Sequence, residues 1–178
     1  GPGGASLPRG KGGRKVGAGG VGSAPTLRVP VGGGGGFGGK PRPKGESVGI
    51  SAPKDRPSDF VIEEATTTEQ ALLYRLSGDL NPLHADPEFA NSVGFAQGPI
   101  LHGLCTYGFT GRALLHALCD GDAAQFTSME GRFSSPVFPG ESLTVKMWRT
   151  GDGEAVFQTS GSDPDRVVLD SGKVTFTA

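Results

Sequence analysis

The stretch LHGLCTYGFTGRALLHALC, residues 101–119, decides the fold. Leu101, Leu104, Cys105, Leu115 and Leu118 keep broadly helical spacing, so the run predicts one long helix. Gly103, Gly108, Gly111 and Ala113 are small. Each interior glycine weakens a helix by roughly 1 kcal/mol relative to alanine, so tight packing must compensate. A helix apolar on more than one side and set with small residues is expected to be wrapped by a sheet at close range.

The residues downstream supply that sheet. Phe126–Phe133, Ser142–Arg149, Ala155–Gly161 and Val167–Phe176 read as strands, punctuated by Pro136–Gly140, Gly151-Asp152-Gly153 and Asp163-Pro164-Asp165. Partial alternation around Val145, Met147, Val156 and Thr159 fits a sheet with one face on a helix. One long helix followed by an antiparallel meander is an α+β plan. Upstream, Phe60-Val61-Ile62 reads as a short strand. Thr66–Thr68 offer capping hydroxyls for a helix through Glu69, Ala71, Leu72, Leu73 and Leu76. Gly78 is placed to end that helix in a left-handed conformation, and Pro82 to prevent its resumption. Residues 87–93 allow one or two further turns, opening on a proline suited to the first helical position.

Charge and glycine divide the chain in two. Of the 32 glycines, 19 lie within residues 1–60, where ten Lys/Arg face three Asp/Glu; residues 61–178 carry seven against fifteen. Residues 1–56 are expected to be a flexible, basic segment with too few large apolar groups to offset chain entropy, and residues 57–178 one folded domain. The acid-free leader, residues 1–45, is compatible with an organelle transit peptide. Its few serines and lack of an amphipathic helix favour a linker or the remnant of an upstream domain. No aromatic interleaving or binding motif accompanies the basic charge, which argues against a nucleic-acid partner. No apolar run approaches the ~18 residues of a membrane span. Cys105 and Cys119 sit about 21 Å apart along the helix, beyond disulfide reach and without metal-ligand spacing, and read as small core residues.

The chemistry lies just before the long helix. In YRLSGDLNPLHADP, residues 74–87, an acid (Asp79) and a histidine (His84) flank an Asn-Pro turn, and PILHGL at residues 99–104 opens the helix. Proton transfer on a polarised carbonyl needs an acid/base pair, a rigid turn to hold it, and backbone donors at a helix start. Taken singly, Asp79 reads as a loop residue after a helix and His84 as a turn histidine bonded to backbone. Their joint spacing is what points to a site. Gly103 stands where unpaired helix-start N–H groups would meet a developing oxyanion, or where a glycine is needed only for packing. His102 reads as structural and His116 as packing or surface. Asp86 with His84 and Asp79 lacks an established metal-ligand pattern, so no metal is expected.

Residues 74–104 resemble the (3R)-specific enoyl-CoA hydratases of the MaoC-like dehydratase group. The likeness is strongest to the second unit of the hydratase domain in peroxisomal multifunctional β-oxidation enzymes. It is carried by Tyr74–Asp79, Asn81-Pro82-Leu83-His84, Asp86-Pro87, Phe89-Ala90, Gly94-Phe95 and Pro99–Leu104, and further along by Arg132-Phe133, Pro136-Val137 and Pro139-Gly140. The resemblance implies a hot-dog fold, an antiparallel sheet wrapped around a central helix, and reversible hydration of a trans-2-enoyl-CoA to the (3R)-hydroxyacyl-CoA. It implies that the residues at Asp79 and His84 share one water. His84 is assigned to activating it and Asp79 to proton delivery at Cα, with the division between coupled groups left open. Asn81 either bonds that water or braces the loop, and Gly103 is the candidate to bind the thioester oxygen.

No metal or organic cofactor is expected, coenzyme A being part of the substrate; Arg75, Arg112 and Arg132 are candidates for its phosphates. Family members of this type carry two tandem hot-dog units, and only the second is represented here, which predicts a homodimer in its place. The stretch Gly94–Pro99 runs one residue longer than the usual spacing. Peroxisomes are implied as the compartment, although Thr175-Phe176-Thr177-Ala178 is not a Ser-Lys-Leu-type signal. The alternatives are a dehydratase acting on acyl-carrier-protein or dicarboxylic acyl thioesters, and a non-catalytic thioester-binding module.

Overall fold

The long helix spans Gly103–Cys119 (called α3 below), with Leu101 and His102 leading into it rather than belonging to it. The computed structural model describes residues 26–28, 50–162 and 165–177. Thr106, Thr110, Ala113, Leu114 and Leu118 form the buried face of α3, the spacing expected of one helical stripe. Ala113, Leu114 and Leu118 pack in one cluster with Val145, Met147, Phe157, Leu169 and Val174 from the sheet, all buried. Inside this core Thr110 and Thr159 satisfy each other, their hydroxyl oxygens 2.9 Å apart.

That sheet is built from β2 (Phe60–Ala65), β3 (Phe126–Phe133), β4 (Ser142–Gly151), β5 (Glu154–Ser162) and β6 (Asp165–Phe176). In the spatial order β3-β6-β5-β4-β2 every neighbouring pair is antiparallel. The four strands read downstream of the helix are all present, each within a residue or two of its expected ends. Strict burial alternation along β5 puts Ala155, Phe157 and Thr159 on the helix face. An antiparallel sheet around one long helix is the hot-dog plan. A further short strand, β1 (Thr26–Arg28), pairs in parallel with β3 at the sheet edge, so part of the glycine-rich head joins the sheet.

Three local expectations are corrected. Thr66–Thr68 do not cap the next helix. Helix α1 is only Gln70–Tyr74, continued by a 3₁₀ turn Arg75–Ser77, and no side chain caps it. The Thr66 hydroxyl is instead engaged 75 residues away, donating to the Glu141 carbonyl and accepting from Gly140 N–H. Pro82 does not stop helical structure but starts a 3₁₀ turn, Pro82–His84. Gly108 is exposed, and a Cβ there would meet nothing within 4 Å, so it is not a packing contact with the sheet. Gly78 does end its turn at φ 112°, in the left-handed region. Helix α2 (Pro87–Ser92) starts on its proline, with the Asp86 carboxylate accepting from Glu88 and Phe89 N–H. Cys105 and Cys119 are buried free thiols.

Candidate active site

Two loops converge at the start of α3. The first, residues 78–86, is stiffened from within. Asn81 N–H donates to Asp79 Oδ1 at 3.2 Å, and Asn81 Oδ1 accepts from Leu83 N–H at 3.0 Å. Asn81 is thus the cap of the Pro82–His84 turn, and of its two expected roles the structure shows the brace. Arg75 reaches the Leu80 carbonyl at 3.4 Å from the preceding turn. The second loop, residues 98–102, crosses the first, with Ile100 N–H bonded to the Leu83 carbonyl.

His84 is buried, and its Nδ1 lies 2.8 Å from the Ile100 carbonyl oxygen. A carbonyl only accepts, so Nδ1 carries a proton, and in the neutral ring the lone pair is on Nε2. His84 lines a cavity of about 320 Å³ together with Ile100, Gly103, Thr106, Phe133 and Pro136. Gly103, the first residue of α3, brings to this cavity a backbone N–H that has no partner within the helix. A Cβ at Gly103 would lie 3.3 Å from the Phe133 ring, so the glycine keeps backbone and ring in close approach. The cavity therefore joins a proton acceptor to the positive end of a 17-residue helix.

Asp79 is exposed, and its carboxylate lies beside the cavity rather than in its lining. One donor atom from each of Asp79, His84 and His102 can be drawn within 4.8 Å of the others. The imidazoles of His84 and His102 stack with centroids 3.7 Å apart and planes 26° apart. Ring lone pairs lie in the ring plane, so two stacked rings point them side by side instead of converging on one ion. That geometry disfavours a metal centre. Asp86 caps α2 and is outside the cluster.

His102 contributes more than sequence reading gave it. It is 1 % exposed, donates from Nε2 to the Asp79 carbonyl at 3.2 Å, and packs against Tyr74 as well as His84. Burial pushes its pKa down, partly offset by the bond to the Asp79 carbonyl, so His102 stays neutral near pH 7. Also unassigned by sequence were Thr106 and the strap of residues 134–137, which closes one side of the cavity. The only sequence signal for the strap was its Pro136-Val137 pair.

A sheet-wrapped helix with a loop Asp/His pair at its N-terminus defines the hot-dog dehydratase class. Residues 50–168 match the family described as the MaoC like domain, and the chain belongs to that family. It is 52% identical over 148 residues to the 3-hydroxyacyl-thioester dehydratase Y of Mycobacterium tuberculosis, covering 81% of this chain and 50% of that protein. It is 45% identical over 146 residues to the mouse (Mus musculus) peroxisomal multifunctional enzyme type 2, covering 82% of this chain and 20% of that protein. Among solved structures, a MaoC-like dehydratase from Phytophthora Capsici superposes with a TM-score of 0.69 at 47% identity, covering 72% of this chain and 43% of that one. The chain thus spans half the length, or less, of these relatives.

Proposed function

We propose that this domain catalyses the reversible hydration of a trans-2-enoyl thioester, with the (3R)-hydroxyacyl-CoA as product. The observation that carries this reading is His84, whose Nδ1 is tied to the Ile100 carbonyl and which lines one cavity with Gly103 at the start of α3. Water entering the cavity gives a proton to the His84/Asp79 pair, and its oxygen bonds to Cβ. The Cα=Cβ π pair shifts toward the thioester, whose oxygen gathers charge at the Gly103 N–H and the start of α3. The pair returns a proton at Cα. The sum adds H and OH across the double bond and leaves the pair unchanged, so no cofactor is called for. The name of one relative, a 3-hydroxyacyl-thioester dehydratase, supports this reversible chemistry, and that of the other, a peroxisomal multifunctional enzyme, supports a peroxisomal setting.

We further propose that two copies associate. Leu72, Leu73, Leu76 and Leu80 are 50–80% exposed on and after α1, and Leu104 is 44% exposed beside the site. Such a concentration of exposed leucines marks a face that is covered in the working protein. For coenzyme A, Arg112 is paired with Glu64 and Arg132 lies 3.9 Å from Asp170, whereas Arg75 meets no carboxylate among the described residues. Arg75 is the phosphate contact we favour.

Loss of enoyl absorbance with crotonyl-CoA, followed by chiral analysis of the product, tests the proposal. Formation of the (3R) alcohol is the expected result. Turnover of only carrier-protein or dicarboxylic thioesters would redirect the substrate assignment, and binding without turnover would refute hydration.

A further inference from the structure

The strap of residues 134–141 is fastened from outside the site by a buried ion pair. On β6 the Arg166 guanidinium donates in a fork to Glu141, Nη1 to Oε2 at 3.1 Å and Nη2 to Oε1 at 2.8 Å. Their side chains are 18% and 6% exposed. Each partner also holds strap backbone, Arg166 through the Pro136 carbonyl and Glu141 through Phe138 N–H at 3.1 Å. The ends are pinned as well. Ser134 N–H donates to the Val168 carbonyl, and Thr66 bonds Gly140 and Glu141.

Between these fixed points the Val137 carbonyl accepts from Leu101 N–H at 2.7 Å. The same peptide unit carries the Ile100 carbonyl, which accepts the Nδ1 proton of His84 at 2.8 Å. A peptide is planar, so fixing its N–H fixes the direction of its C=O. The position of the Val137 carbonyl therefore sets the acceptor that holds the His84 ring and its tautomer. Two further points favour a geometric role for the pair over a stabilising one. A buried ion pair is commonly no more stabilising than an apolar pair of similar volume. The neighbouring β5 residue is Gly161, where a Cβ would lie 2.5 Å from Glu141 Oε2, so the sheet leaves room for this carboxylate.

We propose that Arg166 and Glu141 are positioning residues for His84, acting through the strap and the Ile100–Leu101 peptide. The proposal rests on His84 being the base of the hydration reaction, and its test includes a readout that does not need turnover. The double variant Arg166→Met/Glu141→Leu removes both charges and leaves neither one stranded. In wild-type protein, nitrogen NMR of the His84 ring should show one tautomer, protonated at Nδ1. In the double variant we expect a mixed tautomer signal and a kcat lowered about tenfold to a hundredfold, the scale of a small misplacement of a catalytic group. Arg166→Lys keeps the charge but not the fork and should fall between the two. It also serves alone should the double variant not fold. A wild-type His84 signal with wild-type kcat in the folded variants would overturn the proposal. So would a raised KM with kcat and tautomer unchanged, which would reduce the strap to a pocket wall. A tautomer change in a protein that hydrates no thioester would leave this inference standing and sink the reaction assignment instead.

Discussion

The imidazole of His84 lies face to face with that of His102, ring centroids 3.7 Å apart. Each ring donates to a carbonyl of the other's loop: His84 Nδ1–H to Ile100, and His102 Nε2–H to Asp79. The stack thus ties together the loop that carries the acid and the loop that starts the helix. It works only with one ring uncharged, since two imidazolium ions at this distance repel. Burial keeps His102 neutral, so the stack does not bring two like charges together.

The buried His102 makes stability depend on pH. Its folded pKa is lowered below the ordinary value near 6.5, so between the two values the unfolded chain binds more protons than the folded one. The contribution of neutral His102 is fully present above about pH 6.5 and declines as pH falls through the folded pKa. His102→Gln keeps a donor for the Asp79 carbonyl without a titrating group. Thermal melts from pH 7.5 to 5 should show the wild type losing more stability than the variant. Parallel losses would place the acid sensitivity elsewhere.

Asp79→Asn and His84→Ala separate chemistry from folding. Asparagine retains an Oδ1 for Asn81 N–H, and Asp79 is exposed, so the first variant should melt like the wild type. Loss of either partner should lower kcat about 10²–10⁴-fold, the range expected for a positioned acid or base. Unchanged turnover of crotonyl-CoA by either folded variant would falsify the role given to that residue.

The fold was legible where its causes are local or periodic. The long helix, the downstream strands and the Gly78 stop depend on neighbours in sequence and appear within a residue or two of where they were read, although Leu104 of the helical spacing is exposed and Val156 lies off the buried face of β5. Thr66 misled because its hydroxyl serves Glu141 and Gly140, a contact that only the closed sheet creates. Gly108 misled because helix spacing does not say which stripe faces outward. At the site, the Asp79–Asn81–His84 block announced itself by spacing. The His102 stack and the Phe133–Val137 wall join segments far apart in sequence, and nothing along the chain reveals that meeting.

Gly103→Ala tests the crowding at the helix start. An alanine is a better helix former by up to about 1 kcal/mol, so stability should hardly suffer. Its methyl would press on Phe133, a ring that lines the cavity, at 3.3–3.5 Å, and that ring would have to give way. We expect a melting temperature near wild type with kcat/KM for crotonyl-CoA reduced about tenfold, a cost of about 1.4 kcal/mol. A variant equal to wild type in activity would show that the thioester does not approach this backbone.

Leu114→Ala addresses the core. Leu114 is fully buried on the sheet-facing side of α3, among Met147, Phe157 and Val174. Its truncation should cost about 2–5 kcal/mol, seen as a lower denaturant midpoint with an unchanged slope. A loss below about 1 kcal/mol would mean that the helix and sheet close up on the cavity far better than such cores usually do.

The exposed leucines of α1 and the following turns give the assembly its test. Leu73 and Leu76 are 61% and 80% exposed, three residues apart on the same helical side. Both side chains mostly face water in the isolated fold, so replacing them with glutamate should change the unfolding midpoint of a monomer little. Buried between two copies, the same pair of charges would be desolvated without partners and would drive the copies apart. Light scattering should therefore find twice the 18.2 kDa chain mass for the wild type and a single chain mass for Leu73→Glu/Leu76→Glu. Hydration should fall with dimer content as the protein is diluted, since the α1 turn leads directly into the Asp79 loop. A wild-type chain that is monomeric and fully active would show that one hot-dog unit completes the site alone.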